Sequence, residues 1–587
     1  MASRNDDFLL VAAIDFGTAY SGYAFSSRTD FKRDPLNVSA NTWTGATLMS
    51  HKTTTCVLFD KKKQFKEFGF AAEDEYGNLA EENDEHRNYY FFRRFKMMLY
   101  NKMTLKRRFM LEDELGKKMP AMDVFSACIR YLREHLMKRV QQQLPDVKDD
   151  EIRWVLTVPA IWNDVSKQFM REAAEQAGMV GDSLIMALEP EAASLCCRYL
   201  PMNTLKGSSR FMPFSPETRY LVFDAGGGTV DITVHEVKAS GSLKELYKAN
   251  GGNWGGTYID KAFHELLADI VGNDVMADFS ENKMMDYIDL FREFEVKKRS
   301  FSNQMSEKIT IKVPIALNEM FKEKTGKNIK DHVNSLPRYK DKLQWVGDKI
   351  RMEASIAKGL FNDACQSAAQ HLKSLFSLPE VKSVDTVLMV GGFSESPILQ
   401  DLIRKAVESL PGKMKLIVPK DPGLAVLKGA VIYGHDPSVI EERKCRYTYG
   451  VRTSYPFKKG VHPESKKVVS SNGEEFCGGM FDSHVKIGQE VVRGESQATR
   501  SYKPIKDTQT EIEFQFFAST DPEPTFTSDP NCTDIGKLTI DVPGSGLDRS
   551  VSIKMIFGDT EMHVEAVSKD EKSNKSSKAK AALHFLG

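Results

Sequence analysis

The sequence VAAIDFGT at residues 11–18 decides the fold, because an apolar run ends in an aspartate and passes directly into a glycine–threonine turn. The same construction recurs in YLVFDAGGGT at residues 220–229. The two copies are much farther apart than solenoid repeats, which span roughly 20 to 50 residues. They therefore predict two similar lobes, each with its own apolar strand and turn.

The patterns around these two copies predict an α/β architecture followed by an all-β region. Up to about residue 434, short apolar runs such as IRWVLTV at residues 152–158 alternate with helical patterns such as residues 166–178. After Pro437, residues 510–517, 536–542 and 550–557 alternate with period two between turn residues. We predict an α/β part at 1–435, with lobes at about 1–200 and 215–435, and a β-sandwich-like domain at 436–587.

Two finer predictions concern the C-terminal end. Gly558 and Asp559 separate two alternating runs and predict a hairpin turn, although Asp-Gly would be the stronger turn signal. Residues 568–580 are rich in lysine and serine, which predicts a solvated loop before a final short strand at residues 581–586.

Composition excludes several classes of function. The 587 residues include 81 basic and 81 acidic side chains, so the formal net charge is zero and does not favour capture of nucleic acid or an anionic membrane. No apolar stretch approaches the ~18 residues of a membrane span, and the start lacks the pattern of a signal peptide. The eight cysteines form no C-x-x-C pair, which predicts reduced thiols without a disulfide framework or structural zinc. We therefore expect a cytoplasmic protein.

The repeated turn is suited to binding phosphate and a divalent cation. Glycine lets the backbone approach a ligand and direct its N–H groups at phosphate oxygens, and the threonine hydroxyl adds a donor. The aspartate at the strand end can face a hydrated metal ion. With one turn from each lobe, a triphosphate could be held between them. Two unrelated β-hairpins with glycine turns are the alternative interpretation.

A third glycine turn follows a third apolar strand at residues 386–390. It contains Gly391 and Gly392, and Pro397 marks the start of a helix whose N-terminus could face phosphate or ribose. Other nucleotide-binding folds are not indicated. The sequence lacks the P-loop pattern, a G-x-G-x-x-G after a strand, and the paired H-R-D and D-F-G motifs of protein kinases.

Together, five spaced motifs resemble the heat-shock 70 kDa chaperones of the actin, sugar-kinase and heat-shock ATPase superfamily. They are residues 14–18, 158–159 with 163–164, 189–190 with 192–193, 223–231 and 390–393. Residues 294–299, 421–431, 447–450 and 557–561 are similar to the divergent heat shock 70 kDa protein 12 branch of that family. The resemblance covers nearly the whole chain. It implies a two-lobed actin-like ATPase fold of duplicated ribonuclease-H-like domains, with ATP or ADP and Mg²⁺ as cofactors.

The resemblance also assigns roles to residues. Lys96 would reach the γ-phosphate, with Arg93 or Arg94 as alternative matches, while Thr229 and a carboxylate position the attacking water. The catalytic set would be Lys96, Glu189, Asp224, Thr229 and Asp231. Mg²⁺ would be held through water near Asp15, Glu189, Asp224 and Asp231. The nucleotide would contact Asp15, Gly17, Thr18, Ala19, Gly226, Gly227, Gly228, Thr229, Gly255, Gly256, Glu295, Lys298, Arg299, Ser302, Gly391 and Gly392.

The chain also departs from the family pattern. Glu395 stands where the chaperones place an arginine against adenine, Gly423 replaces an aspartate and Ala19 replaces a threonine. Residues 439–446 replace the acidic-then-leucine linker, and little sequence is left for a helical lid.

Three functions are consistent with this sequence. The first is a weak ATPase of the stress response, whose nucleotide state controls binding of protein clients or partners through the β-rich domain. The second is a nucleotide-binding adapter that hardly hydrolyses ATP, which Glu395 and Gly423 favour. The third is a small-molecule kinase of the superfamily, which the β-rich C-terminus disfavours.

Overall fold

The computed structural model of this chain describes residues 8–45, 49–81, 84–100, 102, 105–200, 205–206, 214–470, 473–547, 549–558, 561–570 and 575–582. Up to residue 200 the helices are α1 (Arg28–Arg33), α2 (Phe70–Glu81), α3 (Ala121–Gln143), α4 (Asp164–Gln176) and α5 (Glu189–Tyr199). The strands are β1 (Leu10–Phe16), β2 (Tyr20–Ser27), β3 (Ser39–Ala40), β4 (Trp43–Thr44), β5 (Met49–Ser50), β6 (Thr53–Thr54), β7 (Cys56–Phe59), β8 (Phe65–Phe68), β9 (Tyr90–Arg93), β10 (Met110–Glu112), β11 (Lys118–Pro120), β12 (Ile152–Val158) and β13 (Leu184–Leu188).

Between residues 205 and 436 the helices are α6 (Gly256–Val271), α7 (Asn273–Asn282), α8 (Met284–Ser300), α9 (Ile315–Thr325), α10 (Ile329–Ser335), α11 (Ala354–Gly359), α12 (Asn362–Leu375), α13 (Pro397–Glu408) and α14 (Pro422–His435). The strands are β14 (Leu205–Lys206), β15 (Arg219–Ala225), β16 (Val230–Val237), β17 (Leu243–Gly252), β18 (Ile309–Lys312), β19 (Leu343–Val346), β20 (Lys349–Met352), β21 (Thr386–Val390) and β22 (Lys415–Pro419). The mixed α/β character predicted from the sequence is confirmed.

The rest of the described chain consists of strands and short turns. These strands are β23 (Ile440–Lys444), β24 (Thr448–Pro456), β25 (Lys467–Val469), β26 (Glu475–Val485), β27 (Glu490–Val492), β28 (Ser496–Tyr502), β29 (Glu511–Ser519), β30 (Cys532–Asp541), β31 (Ser550–Phe557), β32 (Met562–Asp570) and β33 (Lys575–Ala582).

Two sheets organise the first 435 residues and share one pairing pattern, and the second of them also includes β23 and β27 from farther along the chain. The first sheet runs β13-β12-β1-β2-β3, with β6 also paired to β2. The second sheet runs β14-β22-β21-β15-β16-β17-β23-β27. In each, the repeat strand, β1 or β15, lies between a parallel partner and an antiparallel hairpin partner. Strands β1, β12 and β21 are buried along their whole length, which explains why their sequences are predominantly apolar rather than alternating.

Helices α5 and α14 lie between the two sheets and join them. Their apolar side chains share one core with Val11 and Val155 of the first sheet and Val222 and Leu388 of the second. The two helices approach closely at Gly429, where an added Cβ would lie 1.6 Å from the carbonyl oxygen of Ala192. A glycine is therefore required at this crossing, which holds the turns at the ends of β1 and β15 near each other.

Beyond residue 444, two antiparallel sheets share a further core. The first runs β25-β26-β24-β29-β30 and the second β28-β31-β32-β33. Val451 and Phe516 of one sheet pack in the same core as Ile553 and Val564 of the other. The predicted strands at 510–517, 536–542 and 550–557 are therefore confirmed within a few residues.

One prediction for the C-terminal end is confirmed and one is wrong. Strands β31 and β32 form an antiparallel hairpin, with Phe557 opposite Met562, as predicted for the turn at Gly558. The loop predicted for residues 568–580 is instead largely strand, because β32 continues to Asp570 and β33 pairs with it. Lysine and serine are compatible with an edge strand, whose backbone pairs with a neighbour on one side. The predicted final strand at 581–586 is described only to Ala582.

Two further predictions can be compared with this structure. All eight cysteines have free thiols, as predicted. Among the described helices, none has the length and apolarity required to cross a membrane.

Candidate functional site

The first glycine turn joins β1 to β2 and places Asp15 at its entrance. Oδ1 of Asp15 accepts a hydrogen bond of 2.8 Å from the hydroxyl of Thr157, and Oδ2 lies 2.6 Å from Nζ of Lys52. A Cβ added at Gly17 would lie 2.2 Å from the carbonyl oxygen of Tyr20, so only glycine fits this turn. The strand end therefore presents a buried carboxylate whose two oxygens both have partners.

The second glycine turn joins β15 to β16 in the same way. The backbone N–H of Gly226 donates to the carbonyl oxygen of Thr229, which closes the turn. The hydroxyl of Thr229 donates to Oδ2 of Asp231 at 2.6 Å, and the N–H of Ile161 donates to Oδ1 at 2.9 Å. Asp231 thus ties the second turn to the segment that follows β12.

The two turns meet face to face. A Cβ added at Gly228 would lie 2.5 Å from the hydroxyl oxygen of Thr18, and one added at Gly227 would lie 2.9 Å from Cβ of Ala19. Each glycine is therefore needed because the opposite turn fills the space beside it. The structure brings together the two stretches that were separated in the sequence.

A cavity of about 430 Å³ opens at this junction. Most of the candidate site residues line it. They are Asp15, Gly17, Thr18, Ala19, Lys96, Glu189, Asp224, Gly226, Gly227, Gly228, Thr229, Gly256, Glu295, Lys298, Arg299, Gly391 and Gly392.

Three candidates do not line the cavity. Asp231 lies behind Thr229, and Gly255 packs against the backbone of Gly227 and Gly228. The backbone N–H of Ser302 is directed at the sulfur of Met305.

Lys96 and Glu189 form an ion pair at the acidic end of the cavity, with 2.8 Å between Nζ and Oε1. Burial raises the pKa of Glu189 to about 7, although Lys96 opposes the shift. The pKa of Asp224 is raised well above its usual range by burial and then by Glu189, Asp231 and Asp15. For Asp15, burial would raise the pKa, but the ammonium of Lys52 outweighs it and the pKa is lowered.

These carboxylates fit a hydrated divalent cation. Asp224 is buried, and its carboxylate makes no hydrogen bond or ion pair with the described residues, so its ionised form requires a cation. Hard oxygen donors are the ligands that Mg²⁺ takes, usually together with several waters. Within the described ranges, no group of three or more acidic, histidine or cysteine side chains is arranged to bind a metal ion directly. Contact through water therefore stays a prediction.

A second cluster of charges lines the other part of the cavity and comes from α8 and α6. Lys298 lies 2.6 Å from both Asp260 and Glu295, and Arg299 lies 2.8 Å from Glu295. Burial would raise the pKa of Glu295, but Lys298 and Arg299 lower it to about 2. The i, i+3 and i, i+4 spacing of these residues on one helix explains why they converge.

Glu395 also lines the cavity, in the turn between β21 and α13. Burial raises the pKa of its carboxyl group, with Arg299 opposing the shift. A Cβ added at Gly423 would lie 2.9 Å from Oε1 of Glu395, so the glycine leaves room for this carboxylate. Two of the three substitutions that depart from the family pattern, Glu395 and Gly423, are therefore neighbours.

The sequence did not indicate several residues of the site. Lys52 and Thr157 contact Asp15, and Asp260 pairs with both Lys298 and Arg94. Lys52 lies in a polar stretch without a motif, so no local signal could have identified it. Of the three alternatives for the phosphate-reaching cation, Lys96 contacts Glu189, whereas Arg94 contacts Asp260 and Arg93 lies near Glu73.

Comparison with known proteins agrees with this geometry. A family model described as Hsp70 protein matches residues 91–506, which is most of the chain. The chain therefore belongs to the Hsp70 family, and it is an ATP-binding, Hsp70-like protein by that membership. It is 34% identical to the human heat shock 70 kDa protein 12B and to the mouse heat shock 70 kDa protein 12A, and each alignment covers 100% of this chain and 92% of the relative. The predicted branch is confirmed.

A more distant relative matches only part of the chain. The chaperone protein DnaK of Mycoplasmopsis agalactiae is 22% identical over 62% of this chain and 54% of its own length.

Proposed function

We propose that this protein binds ATP and ADP with Mg²⁺, hydrolyses ATP slowly, and uses its nucleotide state to control interaction with protein clients or partners. The proposal rests on one observation. The first glycine turn, at Thr18, contacts the second glycine turn, at Gly228, beside the buried carboxylates of Asp15 and Asp224 and the largely buried carboxylate of Glu189. Two glycine turns that line one cavity can offer backbone N–H groups to phosphate oxygens from both sides.

In this proposal the two sheets are the two lobes of a duplicated, ribonuclease-H-like, actin-like ATPase fold. The matching order of parallel and antiparallel partners around β1 and β15 supports it. The lobes comprise residues 1–200 and 215–435, and residues 436–587 form a β-sandwich-like domain for partners. A cytoplasmic location is supported by the eight free thiols.

The side chains have distinct tasks in this proposal. When bound, Mg²⁺ would neutralise phosphate charge next to Asp15, Glu189, Asp224 and Asp231. Lys96 offsets charge on the γ-phosphoryl oxygens, and the Thr229 hydroxyl orients the attacking water. Glu189 can accept a proton from that water, because its pKa of about 7 is close to neutral pH. Lys298 and Arg299 line the part of the cavity that would contact the adenosine group of the nucleotide.

A chain of hydrogen bonds supports the link between nucleotide and partner binding. Thr229 contacts Asp231, and Asp231 accepts from the N–H of Ile161. The guanidinium of Arg446, between β23 and β24, donates to the carbonyl oxygens of Ile161 at 2.9 Å, Trp162 at 2.6 Å and Ala160. A change at the second glycine turn can therefore reach Arg446, the second residue beyond β23.

Glu395 favours the alternative function, a nucleotide-binding adapter that hardly hydrolyses ATP. It places a carboxylate in the cavity, where a cation would bind the face of adenine more strongly.

Single-turnover hydrolysis of ATP, with and without an unfolded peptide and a panel of sugars, separates the three functions. Peptide-stimulated turnover supports the proposal. Binding without turnover supports the adapter, and sugar-dependent ADP formation supports the small-molecule kinase.

A further inference from the structure

Lys52 occupies a central place in the nucleotide cavity. Its Nζ lies 2.6 Å from Oδ2 of Asp15, and its side chain is 18% exposed and lines the cavity. Thr157 already donates to the other oxygen of Asp15. The ammonium therefore covers the face of Asp15 at which a hydrated metal ion is proposed to sit.

The acidic end of the cavity is partly neutralised by this chain alone. Lys52 pairs with Asp15, and Lys96 pairs with Glu189 at 2.8 Å. Asp224 has no such pair within the described part of the chain. Glu189 and Asp224 also attract the ammonium of Lys52 across the cavity. Of the three carboxylates at this acidic end, Asp15 and Glu189 thus have their own cation before any ligand arrives.

The local backbone leaves room for this arrangement. Lys52 immediately precedes β6, which pairs with β2 opposite the first glycine turn. A Cβ added at Gly22 of β2 would lie 2.8 Å from the carbonyl oxygen of His51 and 3.0 Å from Cγ of Lys52. Glycine therefore provides space for the lysine stem, and a flexible four-carbon stem lets the ammonium move from a carboxylate to a nearby phosphate oxygen.

We propose that Lys52 is a second phosphate-binding cation, which neutralises Asp15 before nucleotide binds and turns to the phosphate oxygens when nucleotide enters. This inference rests on the proposed nucleotide binding and adds a consequence to it. A pocket with two lysines tolerates the phosphate charge better without a divalent ion, so nucleotide binding by this chain depends only partly on Mg²⁺.

The test compares binding of ADP and ATP by the full chain, measured by calorimetry in EDTA and in excess Mg²⁺. Wild-type protein is expected to bind ADP in EDTA. Lys52→Met is expected to weaken that binding by about 10- to 100-fold, the effect of one lost charge-assisted hydrogen bond. In excess Mg²⁺ the loss is smaller, because the free Asp15 carboxylate then favours the metal. Lys52→Arg, which keeps the charge, should retain most of the binding in EDTA.

Lys62→Met is the matched control, since Lys62 is exposed and outside the cavity. Lys52→Gln gives a second measurement if Lys52→Met does not fold, as judged by thermal unfolding. Equal losses with EDTA and with Mg²⁺ for Lys52→Met, or none, would overturn the role of Lys52. Failure of wild-type protein to bind ADP in EDTA while it binds in Mg²⁺ would also overturn it. Failure to bind under both conditions would instead reject the proposed function.

Discussion

The backbone N–H of Ile161 donates a hydrogen bond of 2.9 Å to Oδ1 of Asp231, which joins the segment after β12 to the second glycine turn. Oδ2 of the same carboxylate accepts from the hydroxyl of Thr229 at 2.6 Å. One buried side chain therefore fixes the position of the second glycine turn relative to the opposite sheet. Asp231 lies outside the cavity, so its contribution is to position Thr229 rather than to touch the ligand.

Asp231→Asn should slow single-turnover ATP hydrolysis while ATP binding changes little. Asparagine replaces one of the two accepting oxygens with an NH2 group, which cannot accept, and loss of a bond to a charged acceptor costs about 1.5–3 kcal/mol, or roughly 10- to 100-fold. Rapid-quench measurement of the rate and calorimetry of binding separate the two effects. Asp541→Asn, on the exposed face of β30, is the control. Equal losses of binding and rate would argue against a positioning role.

Asp224→Ala and Thr229→Ala should each slow hydrolysis. Removal of the Asp224 carboxylate takes away the charge that favours the metal, so its defect should decrease at high Mg²⁺. Thr229→Ala removes the hydroxyl that is proposed to orient the attacking water, and its defect of about tenfold or more should persist. Single-turnover rates over a Mg²⁺ titration test both. Unchanged rates in both variants would remove the catalytic assignment and leave the fold intact.

Glu395→Arg should strengthen binding of ATP and ADP. The substitution replaces the Glu395 carboxylate with a cation that can lie over the adenine face, an interaction of about 0.5–2 kcal/mol, or roughly 2- to 30-fold. Calorimetry of ADP binding measures the gain, and Glu408→Arg on the exposed side of α13 provides the control. Weaker binding in Glu395→Arg would show that the carboxylate itself contacts the nucleotide.

Ionisation of the buried Glu245 carboxyl group should lower the stability of the protein as pH rises. Burial and then Glu191 raise the pKa of this carboxyl group from 4.5 to about 7, although the N–H of Lys444 donates to it. Because the folded-state pKa is raised, the stabilising effect of protonation is complete below about pH 4.5 and is lost as pH rises through 7.

Glu245→Gln should therefore be more stable than wild type by about 2–3 kcal/mol at pH 8 and nearly equal at pH 4.5. Urea unfolding of both proteins across this range gives the difference directly. A difference that does not vary with pH would contradict the assignment.

Arg446→Met should loosen the connection between the β-rich region and the rest of the chain. It leaves three carbonyl oxygens without their charged donor, each bond to which is worth about 1.5 kcal/mol or more. Limited proteolysis of residues 437–446, with and without nucleotide, should show faster cleavage and a weaker nucleotide effect. Arg452→Met, on an exposed part of β24, is the control. Cleavage equal to wild type in both states would exclude the link.

The sequence alone determined the glycine turns, the apolar strands and the region of alternating strands. These features depend on local rules. Glycine occurs where one backbone passes close to another, buried strands are mainly apolar, and apolar and polar residues alternate in strands whose sheet has one solvent-exposed face. The strand at residues 575–582 was missed because an edge strand can carry lysines, and a solvated loop has the same composition.

Only the tertiary structure decided which side chains meet. Lys52 reaches Asp15 from a segment with no motif, and Asp260 joins α6 to Lys298 of α8 and to Arg94. Such contacts depend on how α5 and α14 bring the two sheets together, with Gly429 allowing the helices to cross. Ion pairs between distant segments leave no periodic signal in a sequence, because their energy depends on distance and burial in the folded chain.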